Sequence, residues 1–181
     1  DGVPINKEEA IKYYKIAIEK GHVGAMINYG NMLLEGNGIE VNKEEALKYF
    51  KMATDKGSPE AMSHYASMLY HGNGTEKNIN ESIKYYKMAI DGGSKSAMTQ
   101  LGCMLYNGDN IDVNKEEAFK LFKMSLENKE SMIYYAIMLR DGDCVQENKE
   151  EAARCFKILA DKGEVNAMSI YAKMNLSGEG I

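Results

Sequence analysis

Residues 25–57 read AMINYGNMLLEGNGIEVNKEEALKYFKMATDKG, and the same grammar returns at 61–93 as AMSHYASMLYHGNGTEKNINESIKYYKMAIDGG. Two landmarks fix the period. Asn-Lys-Glu-Glu-Ala stands at 6–10, 42–46, 114–118 and 148–152, with the degenerate copy Asn78-Ile79-Asn80-Glu81-Ser82 between them, so successive copies lie 36, 36, 36 and 34 residues apart. Ala-Met-x-x-Tyr/Leu-Gly/Ala-x-Met-Leu starts at Ala25, Ala61, Ala97, Ser131 and Ala167, the shorter step arising from a two-residue deletion near Asn128. Self-similarity at this period means a solenoid, in which each unit buries its apolar face by stacking on its neighbours.

Each unit reads as two helices. The one opening at Asn6, Asn42, Asn114 or Asn148 has an N-cap residue, a Glu three positions on and acidic residues in the first turn, where the macrodipole favours them. It closes at Gly21, Gly57, Gly93 or Gly163, a C-terminal glycine signal. The other helix is expected to start near Ala25 and its equivalents and to stop at Gly36, Gly72, Gly108, Gly142 and Gly178. The pattern predicts ten helices of about 12 to 15 residues, each about 18 to 22 Å long, joined by turns.

Aligned columns show what each position is for. Tyr14, Phe50, Tyr86, Phe122 and Phe156 form an aromatic column; Met26, Met62, Met98, Met132 and Met168 form a thioether column, flanked by Leu33, Leu69, Leu105 and Leu139. These are the expected core. Small residues recur at Ala10, Ala46, Ser82, Ala118 and Ala152, and at Gly30, Ala66, Gly102, Ala136 and Ala172. A glycine inside a helix costs about 1 kcal/mol relative to alanine, so Gly30 and Gly102 need a packing reason, and close helix approach supplies one.

The composition is that of a folded chain. Of 181 residues, 44% are hydrophobic and 27% charged, with 2 Pro, and the net charge of −5 argues against nucleic-acid binding by bulk basicity. No apolar run approaches the ~18 residues of a transmembrane helix, so no membrane insertion is expected. The start DGVPINKEEA lacks the basic and apolar regions of a signal peptide. Cys103, Cys144 and Cys155 show no disulfide framework and no zinc spacing, which predicts free, expendable thiols and a cytoplasmic location. Asn73-Gly74-Thr75, Asn80-Glu81-Ser82 and Asn175-Leu176-Ser177 match the N-glycosylation pattern and keep the lumen of the endoplasmic reticulum as the alternative.

The unit A-M-x-x-Y-G-x-M-L-x-x-G-x-G-I-x-x-N-x-E-E-A-x-K-Y-Y/F-K-x-A-x-x-K-G has its first full copy in Ala25, Gly30, Gly36, Gly38, Ala46, Tyr49, Phe50, Ala53 and Gly57, and it resembles the Sel-1-like repeat over essentially the whole chain. That resemblance implies an all-α fold, an α/α solenoid related to the tetratricopeptide repeats and wound as a right-handed superhelix of stacked helix-turn-helix units. The departures are local: Asn stands where many members have Asp before the second helix, Trp is absent, Cys144 replaces the second loop glycine, and Asn175 interrupts the Leu column. In family phasing the chain is one solenoid, with a leading second helix at 7–20, four full repeats from about 24 to 163, and a trailing first helix at 166–177. Both ends fall mid-repeat, which predicts excision from a longer array and end-to-end self-association through the cut ends.

The resemblance also implies an adaptor that holds other proteins together, since stacked helix pairs make a long concave surface. A spacer or self-assembly segment without a specific ligand is the alternative. A β-lactam-hydrolase-like activity, implied by cysteine-rich bacterial relatives, lacks support here: there is no Ser-x-x-Lys and no regularly paired cysteines. No cofactor and no metal are expected. Gly36-Asn37-Gly38 and Gly72-Asn73-Gly74 resemble phosphate loops but follow helices, so they read as helix-terminating turns. His64 and His71 share a helix face but sit two turns, about 10 Å, apart, too far to share one metal. The Lys columns, Lys12, Lys48, Lys84, Lys120 and Arg154 with Lys15, Lys51, Lys87, Lys123 and Lys157, lie four residues after Glu8, Glu44, Glu116 and Glu150 in the first case, which predicts local pairing on a solvated face.

Columns under packing constraint are nearly identical in every copy, so a freely varying column is either plain surface or tuned to a ligand. In the first helix the free columns begin at Gly24, Asn28, Asn31 and Glu35, a spacing that puts them on one face. The partner-binding candidates on this concave face are Asn28, Asn31, His64, Ser67, His71, Gln100, Cys103, Asn107, Tyr134, Ile137, Asp141 and Ile170. A protein or peptide partner is expected, with exposed Tyr134 beside Ile137 and Ile170 as its apolar anchor.

Overall fold

The computed structural model describes residues 6–180, and among them there are ten helices and no strand. The helices are α1 (Lys7–Glu19), α2 (Val23–Glu35), α3 (Lys43–Asp55), α4 (Pro59–His71), α5 (Ile79–Asp91), α6 (Lys95–Asn107), α7 (Lys115–Met124), α8 (Lys129–Asp141), α9 (Lys149–Asp161) and α10 (Val165–Ser177). They gather into two compact units, one running to Ser94 and one beginning at Lys95. In the first, α2 packs on α3 and α4 on α5 as repeat pairs, with α1 on α2 and α3 on α4 joining successive pairs. In the second, α6 packs on α7 and α8 on α9, with α7 on α8 and α9 on α10 as the joints.

The asparagine that opens each second helix does two jobs. Asn42 Oδ1 accepts from the Glu45 amide at 3.0 Å, while its Nδ2 donates to Glu45 Oε2 at 3.4 Å. Asn6 with Glu9, Asn78 with Glu81 and Asn114 with Glu117 repeat both bonds. An aspartate could accept but not donate, so the amide is what binds the Glu side chain into this form of capping box. The same asparagines are held through their backbone: the amides of Asn42, Asn78, Asn114 and Asn148 donate to the carbonyls of Leu33, Leu69, Leu105 and Leu139 at 2.8–2.9 Å. The Leu column thus supplies core bulk and the acceptor that starts the next helix.

The first helices begin two residues before the expected Ala25 column. Their caps are irregular: His22 Nδ1 accepts from the Ala25 amide at 3.0 Å, Ser58 Oγ from Ala61 at 3.3 Å, and Asn128 Oδ1 from Glu130 at 2.9 Å, whereas Glu164 makes no side-chain cap bond. The deletion near Asn128 shortens α7 to 10 residues. Ser125 Oγ then turns back to the Leu121 carbonyl at 2.8 Å and joins Ser131 Oγ at 2.8 Å, which meets Thr99 Oγ1 at 2.7 Å, so three buried hydroxyls fill the shortened corner fully satisfied.

The core follows the columns except at Met62 of α4, for which the structure shows no reason, and at the outermost helices. Phe50, Tyr86, Phe122 and Phe156 are buried, as are Met26, Met98 and Met132. Met62 is half-buried and Met168 is 43% exposed, which corrects their place in the core; likewise Ala10 and Ala172 are exposed and Tyr14 half-buried. Among the described residues α1 and α10 each have a helix on one side only, and that is the physical reason at those two helices. The expected pairing of the first Lys column also needs correction: the i,i+4 pair forms at Glu150–Arg154, while the ion pairs Lys51–Asp55 at 3.2 Å and Lys157–Asp161 at 2.8 Å use the second column and aspartates one turn later.

Gly30 and Gly102 have the packing reason they needed. A Cβ on Gly30 would lie 3.0 Å from Phe50 Cε1, and one on Gly102 would lie 2.7 Å from Phe122 Cε1. Overpacking costs about 1–3 kcal/mol and helix propensity returns ~1 kcal/mol, so Gly102→Ala is expected to lower stability by up to about 2 kcal/mol. Denaturant melts check this, and adding Phe122→Leu to the variant recovers part of the loss.

Candidate functional site

All twelve candidate residues reach the surface, as two faces, one in each unit. Asn28, His71, Asn107 and Asp141 are exposed; Asn31, His64, Ser67, Gln100, Cys103, Tyr134, Ile137 and Ile170 are half-buried. In the first unit Asn28 and Asn31 of α2 line an open cavity of about 620 Å³ with Lys7, Tyr14 and Glu35. His64 of α4 lies flat on Phe50 of α3, ring centroids 4.9 Å apart and planes 14° apart. Burial lowers the His64 pKa, against the pull of Glu60 and Glu35. Ser67 shares a hydrogen bond with the Tyr86 hydroxyl, whose pKa burial pushes up to about 12. His71 meets Tyr70 edge-on at 4.9 Å.

In the second unit the same column does the same thing. Tyr134 of α8 stacks on Phe122 of α7 at 5.0 Å with planes 8° apart, and Tyr106 of α6 packs against Tyr134 at 5.1 Å. Tyr134 is thus half-buried rather than the exposed anchor expected, because one whole ring face is spent on Phe122. Cys103 is half-buried: burial, then the neighbouring Glu130, pushes its thiol up to about 12. Asp141 is clamped by Arg140, with both carboxylate oxygens engaged at 2.6 and 2.8 Å, and that bond holds its pKa below the usual range. All three cysteines are free.

Sequence reasoning missed one column of this surface, Leu34, Tyr70, Tyr106, Arg140 and Leu176. Its side chains carry cations over rings: Lys115 Nζ sits 5.1 Å from the Tyr106 centroid, Lys77 Nζ 5.2 Å from Tyr70, and the Arg140 guanidinium 6.0 Å from Phe156. The signal was present, a column as variable as its neighbour at Glu35. Among the described residues no three metal-ligating side chains converge, and no helix is long and apolar enough to cross a membrane.

The Sel1 repeat family profile matches residues 1–22, 23–58, 59–94, 95–130 and 129–164, so the chain belongs to the Sel1 repeat family. Its backbone is similar to that of a protective antigen of uropathogenic Escherichia coli displaying an SLR fold, with a TM-score of 0.85 and 24% identity over 94% of this chain and 37% of the antigen. A Sel1 repeat protein from Oxalobacter formigenes gives 0.80 and 25% identity over 97% of this chain and 78% of its own. The cysteine-rich protein B of Helicobacter pylori gives 0.51 and 22% over 66% and 86%. The chain spans little more than a third of the length of the E. coli antigen. Among curated proteins no sequence matches.

Two outcomes follow from the electrostatics. Because the folded His64 pKa lies below the ordinary 6.5, the unfolded chain binds more protons between the two values, so the stability His64 contributes is full above about pH 6.5 and is lost as pH falls below it. Melting from pH 7.5 to 5 is expected to fall more steeply for the wild type than for His64→Asn, the residue that stands at 28. With its pKa near 12, Cys103 stays a protonated thiol at pH 8, and mass-spectrometric mapping after iodoacetamide is expected to find it modified far more slowly than exposed Cys144.

Proposed function

We propose that this chain is an interaction scaffold whose first-helix face, within each unit, takes a peptide or an extended partner segment. Sel1 repeat proteins are in general protein-interaction scaffolds, and the fold is in general non-catalytic. The observation that carries the reading is the second unit's aromatic step. Tyr106 and Tyr134 are both half-buried, locked on Phe122, and beside Ile137 and Asn107 on the same face. Rigid aromatics with little rotamer freedom left to lose are favourable anchors, because ordering costs are already met in the free protein. Around them Gln100 and Asn107 offer hydrogen bonds to a partner backbone. In the first unit the cavity beside Asn28, Asn31 and Glu35 offers the polar counterpart.

A displayed library of random peptides selected on the wild-type chain tests this. Selected peptides are expected to bind Ile137→Arg or Ser67→Arg at least about 10-fold more weakly, a loss of ~1.4 kcal/mol, and to bind Lys48→Glu and Lys84→Glu unchanged. Binders insensitive to both groove substitutions, or lost with the lysines, would place recognition elsewhere.

A further inference from the structure

The first helices of the first unit carry carboxylates and no lysine or arginine. On α2 the charged side chain is Glu35, and on α4 it is Glu60, with His64 and His71 as the other titratable groups. Both glutamates are exposed, and among the described residues neither is in an ion pair. Glu60 stands four residues before His64, so the two share one face of α4 with Cβ atoms about 5–6 Å apart. Glu35 acts on the same ring from the end of α2, so carboxylates of two helices bracket one imidazole.

That imidazole is a fixed, uncharged platform. Its inner face lies on Phe50, centroids 4.9 Å and planes 14° apart, which sets the ring's orientation and turns its other face outward. Burial keeps it neutral at pH 7, so it does not repel a cation. The second unit repeats the arrangement with a single carboxylate: Tyr134 lies on Phe122, and exposed Glu130 stands four residues before it. There the cations of α6 and α8 are already held, Lys95 by the Met124 carbonyl, Lys129 by Glu164 at 2.9 Å and Arg140 by Asp141 at 2.6 Å.

Resting on the reading that this face takes an extended segment, we infer that the segment presents an arginine to the first unit, its guanidinium stacked on the outer face of His64 and its N–H groups on Glu35 and Glu60. The guanidinium is planar, which matches a flat ring already locked in place. Its five N–H donors form a rigid fork that serves two carboxylates arriving from different helices, whereas an ammonium is a point charge with no plane to stack. An acidic side chain here would be repelled by both glutamates, and an apolar one would desolvate them without giving them partners.

The peptide selection described above supplies the probes. Peptides lost with Ser67→Arg use this face of the first unit, and each is expected to contain an arginine. Resynthesis with citrulline, the neutral isostere, is expected to weaken binding to the wild type at least about 10-fold. Against the Glu35→Gln, Glu60→Gln double variant the same exchange is expected to cost less than about 2-fold, because the groups it couples to are gone. Both glutamates are exposed, so the double variant is expected to melt as the wild type does. A lysine version is expected to bind more weakly than the arginine one. Peptides dependent on Ser67 that tolerate citrulline, an equal citrulline loss on wild type and double variant, or lysine as good as arginine would each overturn the inference and leave the scaffold reading standing. A selection with no peptide sensitive to Ser67→Arg also overturns it, and one with none sensitive to Ile137→Arg either overturns the scaffold reading as well.

Discussion

The structure depends on one contact, the aromatic ring of each second helix pressed on the small residue of the first. Phe50 lies against Gly30 on one side and carries His64 stacked on the other; Phe122 lies against Gly102 and carries Tyr134. Each ring is therefore shared by two interfaces, one inside its repeat and one with the next. Burying such a ring contributes roughly 1.5–3 kcal/mol by area, with about 0.5–1.5 kcal/mol more for aromatic stacking. Because the same ring belongs to both, the fit of a repeat and its coupling to its neighbour rise or fall together, which is what makes a quasi-one-dimensional array cooperative. The price is the glycine, which weakens its helix by about 1 kcal/mol in exchange for close approach.

That shared ring changes what a variable column means. The position occupied by Asn28, His64, Gln100, Tyr134 and Ile170 varies freely between repeats, which marks it as surface or ligand-tuned. In two of those repeats the side chain is half structural, since His64 and Tyr134 each spend one ring face on the aromatic beneath. Variability survives there because a flat ring tolerates many lids, not because the lid touches only water. A partner can use the outer face and edge of such a residue, while the stacked inner face fixes its rotamer.

Most of the fold was legible because each constraint is written several times. The period, the asparagine caps and the Leu, Phe and Ala columns recur with the residues that do the physical work, and the helices form where they predict. The first-helix starts were legible only to within two residues because the position before them varies, His22, Ser58, Ser94, Asn128 and Glu164, so no single residue type announces them. The exposure of Met168, Ala172 and Ala10 could not be read from column identity, since burial depends on a neighbour rather than on the residue. The lysine pairs were misassigned for a different reason: the second-column lysines have an acid one turn later, Asp55 after Lys51 and Asp161 after Lys157, and these exposed pairs differ so little in free energy from a solvated side chain that position alone does not decide which form.

The same comparison between repeats singles out the second unit. The second loop position adopts positive φ in all five copies; glycine occupies it at 38, 74 and 180, but Asn110 and Cys144 hold φ of 59° and 61°. A left-handed conformation costs a side-chain-bearing residue about 1–2 kcal/mol, less for asparagine, so Cys144 keeps a strain that glycine would relieve. Next to it, Asp143 takes the Lys115 ammonium at 2.7 Å, and that same Lys115 lies over Tyr106. The shortened α7 and its hydroxyl network fall in this unit too. Departures from local rules gather where function or strain holds them in place, and here they surround the Tyr106, Phe122 and Tyr134 cluster. The repeat lattice is most regular where it only has to stack, and among the described residues it departs from that regularity around the Tyr106, Phe122 and Tyr134 cluster.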